Sequence, residues 1–139
     1  MMEKAGAVVH VYANAKGFSV IRLEQQSNGS WVEVSPVYHV TLMSGLPVTE
    51  ELARALRDAR SREDAEPGAV WNGKGKRWWT HPLVLVKIAW QPDGIIFSPQ
   101  QRGAEGPWED ASTESFEADL PDLGLACKLI ATLGERMQG

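Results

Sequence analysis

The stretch Val70–Phe97, VWNGKGKRWWTHPLVLVKIAWQPDGIIF, decides how this chain folds. Its second half opens with Leu83 to Trp90, an apolar run interrupted only by Lys87, which is the pattern of a strand buried on both faces. Pro92-Asp93-Gly94 is turn chemistry: Pro presets φ, Asp bonds its own backbone, and Gly is expected at a positive φ. Ile95, Ile96 and Phe97 then return as the partner strand. The first half has another character. Trp71, Trp78 and Trp79 alternate there with Lys74, Lys76 and Arg77, which reads as a basic aromatic surface made for contact.

Upstream of this stretch, Ala7 to Tyr12 and Phe18 to Gln25 are rich in β-branched and apolar residues and read as strands. Asn28-Gly29 is a strong hairpin turn signal. Counting outward from it pairs Gln26 with Trp31, Gln25 with Val32, Glu24 with Glu33 and Leu23 with Val34. That register puts Ile21, Leu23, Val32 and Val34 on one face, and Arg22, Glu24, Trp31 and Glu33 on the other. Pro36 breaks the third strand or places it at an edge. Val37 to Met43 reads as a fourth strand, with Tyr38, Val40 and Leu42 facing one way and His39 and Thr41 the other. A helix follows, capped by Thr49 and fading near Arg62, with Leu52, Leu56 and Ala59 as its buried stripe. Glu50–Arg54 and Arg54–Asp58 lie on its wet side.

Downstream, Ser98 to Pro121 is acidic, carries Trp108 and Phe116, and has little secondary-structure signal. It is expected to be a mobile segment. A last helix begins near Asp119 or Asp122, with Ala126, Leu129, Ile130, Leu133 and Met137 as its apolar stripe. The pattern predicts one α+β domain over residues 1–139. Its largely antiparallel sheet has about six strands, with two helices packed on one face in the order ββββα-ββ-α.

The chain has 139 residues, enough for a core of its own, and a formal charge of −4. That charge is uneven: residues 68–92 carry +4, those before them −2 and those after −6. With one cysteine, no apolar leader and no apolar run near the roughly 18 residues of a membrane span, the sequence predicts a cytoplasmic chain away from membranes. The cysteine, Cys127, falls in the apolar part of the last helix and is expected to be a buried, inert thiol.

Catalytic signals are sparse. Asn72-Gly73-Lys74-Gly75-Lys76 lacks the spacing of a phosphate-binding loop. His10, His39 and His81 stand far apart with no ligand-spaced partner, so no metal and no cofactor is expected. His39-Val40-Thr41-Leu42, followed by a helix, resembles one H-x-T-x motif of the two-histidine phosphoesterases. In that family two such motifs hold and protonate a phosphodiester, which would give His39 and Thr41 those roles. The second motif departs from the pattern: His81-Pro82-Leu83 has leucine where threonine is required. The resemblance therefore implies a degenerate domain lacking half of the catalytic pair.

The functional expectation is a non-enzymatic binding module of the inhibitor or immunity type, meeting a protein partner through Trp71, Lys74, Lys76, Arg77, Trp78 and Trp79. Trp and Arg are the residues of interaction hot spots. The same composition would suit single-stranded nucleic acid, with rings stacking on bases and cations tracking phosphates. The acidic remainder of the chain weighs against that alternative.

Overall fold

The computed structural model describes residues 7–25, 27–42, 47–60, 84–102, 108–110 and 113–138. Its strands are β1 (Val8–Asn14), β2 (Gly17–Gln25), β3 (Trp31–Thr41), β4 (Val84–Gln91), β5 (Gly94–Arg102), β6 (Trp108–Asp110) and β7 (Glu114–Phe116). Helix α1 (Val48–Arg60) joins β3 to β4, and α2 (Asp122–Gln138) ends the described chain. The strands form one seven-stranded sheet in the order β3-β2-β1-β4-β5-β6, with β7 also pairing β5, and every pairing is antiparallel. The expected α+β class, with an antiparallel sheet and two helices, is borne out.

Alternation along the strands builds the core. Val9, Val11 and Ala13 of β1, Phe18 and Val20 of β2, and Val84, Val86 and Ile88 of β4 face the helices. They pack on Leu52, Ala55, Leu56 and Ala59 of α1 and on Leu125, Ala126, Leu129 and Leu133 of α2. Glu50 and Arg54 of α1 are exposed, as its amphipathic pattern requires. The helix starts at Val48, one residue before the expected cap, with the Glu51 amide donating to the Pro47 carbonyl. In β4 every residue from Val84 to Trp90 is buried or half-buried except Lys87, so the strand read as two-faced is one.

Several expectations are corrected. The third and fourth expected strands are one continuous β3 on the sheet edge, and its register skips residues 35 and 36, between Arg22↔Val34 and Ile21↔Val37. Pro36, which cannot donate a ladder hydrogen bond, falls in that bulge on an edge strand. Residues 98–121 contain structure: β5 runs on to Arg102, and β6 and β7 both pair with it. These strands are three residues each, too short to show alternation. Cys127 is exposed rather than buried, since it points away from the α2 stripe of Leu125, Ala126 and Leu129. The side chain of Met137 lies outside the described residues.

Gly94 is also used differently from expectation. Positive φ occurs only at Gly17 (153°) and Gly29 (90°) among the described residues, so the turn into β5 does not need it at Gly94. A Cβ on Gly94 would instead stand 2.9 Å from the Phe116 carbonyl oxygen, a backbone atom of β7. Glycine is required there for close approach. Gly94→Ala should cost about 1–3 kcal/mol in chemical denaturation, the range for forcing atoms into a filled site. A loss below about 0.5 kcal/mol would show that β7 gives way freely.

Candidate functional site

The six residues of the expected contact surface, Trp71, Lys74, Lys76, Arg77, Trp78 and Trp79, lie outside the described residues, as does His81. The points where their segment joins the fold are described. At one end, the Arg60 Nη2 donates to Asp122 Oδ2 at 2.7 Å, tying the last residue of α1 to the first turn of α2. The Arg60 guanidinium also lies 5.4 Å from the Trp90 ring centroid. Arg22 Nη1 donates to the Arg60 carbonyl at 2.9 Å and the Ala59 carbonyl at 3.3 Å, placing a cation on the negative end of α1. At the other end, Val84 is buried and pairs with Ala13 in mid-sheet.

A second constellation was not expected from the sequence. On the sheet face turned away from the helices, Glu33 Oε2 accepts a hydrogen bond from the Tyr12 hydroxyl at 2.6 Å and pairs with His10 Nδ1 at 3.0 Å. The Tyr12 and His10 rings meet edge-on, with centroids 6.0 Å apart. One strand pair further along the same face, Ser19 Oγ and His39 Nδ1 are 2.9 Å apart. Tyr12, Ser19 and His39 are direct neighbours across β1, β2 and β3, which makes a polar row on this face.

The hairpin register brings Glu33 into this row. Its observed pairs are Gln25↔Trp31, Glu24↔Val32, Leu23↔Glu33 and Arg22↔Val34, one residue from the register counted outward from Asn28-Gly29. The last pair before the turn is thus Gln25↔Trp31, and in the turn Asn28 Oδ1 accepts from the Ser30 amide and hydroxyl. A one-residue slip reverses every side chain of a strand. Trp31 and Glu33 therefore share a face with Ile21 and Leu23, while Val34 turns to the side of Arg22. Arg22 reaches α1 instead of balancing Glu33.

Burial and hydrogen bonding tune this cluster. Burial pushes the Tyr12 hydroxyl well above its ordinary value of 10.0, and the Glu33 charge with its hydrogen bond pushes it further. For Glu33, burial alone would raise the carboxyl, but the hydrogen bonds from His10 and Tyr12, with His10's charge, hold it below its ordinary value of 4.5. The cluster holds a fixed carboxylate. Ser19 and His39 have the spacing of a nucleophile and its base, yet Ser19 is only 2% exposed. Its strand is bonded on both sides, so the surrounding backbone amides are engaged in ladders rather than open as oxyanion donors. His39 and Thr41, the residues of the phosphoesterase-like motif, are exposed on edge strand β3. The described residues contain no cluster of three or more potential metal ligands, and none of their helices is long and apolar enough to cross a membrane.

Fold and site define an α+β protein with a helix-covered sheet and a polar row on the opposite face. A solved structure of a protein of unknown function from Neisseria meningitidis is similar over 97% of this chain and 99% of that one, with a TM-score of 0.66 and 14% identity. At that identity the likeness establishes a shared fold, along nearly the whole of both chains. No protein-family model and no curated protein matches the sequence.

Proposed function

We propose that this protein is a non-enzymatic binding module that engages a protein partner, in the manner of an inhibitor or immunity protein, through Trp71, Lys74, Lys76, Arg77, Trp78 and Trp79. The observation that carries the reading is charge segregation. Residues 68–92 hold +4 and no acidic side chain, within a chain of net −4. Three tryptophans among those cations supply rigid, desolvating anchors. The anchoring of the segment's flanks supports the reading. Its N-terminal flank is tied down through Arg60, and its C-terminal flank enters the buried centre of the sheet.

A pull-down with the intact chain as bait tests this, followed by affinity measurement on the captured protein. Arg77→Ala with Trp78→Ala should weaken binding at least about 30-fold, the equivalent of one hot-spot residue. Unchanged affinity would move the contact elsewhere. Single-stranded oligonucleotide added at low salt should leave the tryptophan fluorescence unchanged. A salt-sensitive quench would replace the protein partner with nucleic acid.

A further inference from the structure

We infer that the pocket beside Trp31 is a second contact point, built to take an arginine side chain from a basic protein partner. Trp31 and Leu123 are the exposed large hydrophobic residues among those described, and Trp31 is 41% exposed. Its position is fixed by the β3 register, which pairs it with Gln25 on the face away from the helices. There it borders a pocket of about 240 Å³. Val8, Ala89 and Pro92 supply apolar lining, and Gln91 and Asp93 supply the polar groups.

Size and chemistry select the occupant. A volume of 240 Å³ is below the roughly 300–1,000 Å³ of small-molecule sites, which points to one inserted side chain. Asp93 is the only charged residue lining the pocket, is exposed, and forms no ion pair among the described residues. An indole face, an apolar floor and an exposed carboxylate match a guanidinium on an alkyl stem: the stem covers Val8 and Ala89, and the planar head stacks on Trp31 and meets Asp93. Arginine suits this better than lysine because its planar head stacks and bonds in a fixed fork. The fold uses the same pairing internally, where Arg60 lies over Trp90. The net charge of −4 favours a basic partner over a second acidic copy of this chain. This contact does not depend on the Trp71–Trp79 surface.

The test is a titration of the full ¹⁵N-labelled chain with acetyl-Gly-Arg-Gly-amide and with its lysine and citrulline counterparts. The readout is the Trp31 indole N–H resonance, identified by its loss in Trp31→Phe. The arginine peptide should shift that resonance at the lowest concentration. Asp93→Asn, which preserves the turn chemistry, should weaken the response about two- to fivefold, the range of an exposed cation–π contact or surface ion pair. Equal responses to all three peptides, or no change in Asp93→Asn, would reduce the pocket to an apolar patch and overturn the inference. A shift that follows chain concentration without peptide would give the pocket to a second copy, and would overturn it equally.

Discussion

Glu33→Ala should destabilise the protein by about 2–4 kcal/mol, because it removes the carboxylate that two partly buried partners share. The Tyr12 hydroxyl and His10 Nδ1 both use Glu33 Oε2. A buried polar group left without its partner costs about 1–3 kcal/mol, and water reaching this half-buried site keeps the total near the lower sum. The same contact ties edge strand β3 to β1 across β2, so losing it also loosens the observed hairpin register. The pH dependence follows from the two shifts. Since Glu33 is held below 4.5 in the fold, its contribution is present above that value and is lost as pH falls through it. Tyr12 is raised above 10.0, so it favours the fold below that value and its contribution is lost as pH climbs past it. Denaturation midpoints from pH 3 to 11 should therefore fall at both ends in the native chain, and less steeply at both ends in Glu33→Ala. Parallel profiles for the two proteins would show that the cluster contributes nothing to folding.

Phe97→Ala should be the most damaging single substitution, at about 3–5 kcal/mol, the range for emptying a buried aromatic site. Phe97 is fully buried, pairs with Ile88 of β4, and meets Phe116 of β7 in a T-shaped contact with ring centroids 6.0 Å apart. Since a domain is stable by only about 5–15 kcal/mol, the variant should unfold roughly 10–15 °C lower. Phe97→Ala and Phe116→Ala together should cost less than the sum of the two single variants, by about 0.5–1.5 kcal/mol for the ring pair. A loss under about 1.5 kcal/mol for Phe97→Ala would mean that the β5–β7 junction is not packed as described.

Much of the architecture was legible because it rests on short-range periodicity. The run Leu83–Trp90 needed only composition to be read as a two-faced strand, and α1 showed its buried face in Leu52, Leu56 and Ala59. The turn at residues 92–94 was also legible, though the reason for Gly94 was not. That reason is the Phe116 carbonyl, 22 positions further along the chain, and no local pattern announces it. Likewise, β6 and β7 exist only because β5 offers them a partner. The expected contact residues Trp71 to Trp79 were singled out by composition, and that surface remains a proposal resting on charge and residue type.

Local patterning along the chain dictates an α+β protein, a hairpin turn at Asn28-Gly29, and two amphipathic helices covering a sheet. Alternation and helical period are properties of neighbouring residues, so they are written in the chain. Long-range packing sets which way Trp31 to Val34 of β3 face. A turn at Asn28-Gly29 can close with four loop residues or five, and the two differ locally by little. The choice falls to distant partners: Val34 is buried on the helix side, and Glu33 reaches Tyr12 and His10 across an intervening strand. That single-residue slip exchanges the two faces of the hairpin half of β3, Trp31 to Val34, and with them it creates both the carboxylate cluster and the exposed Trp31 pocket.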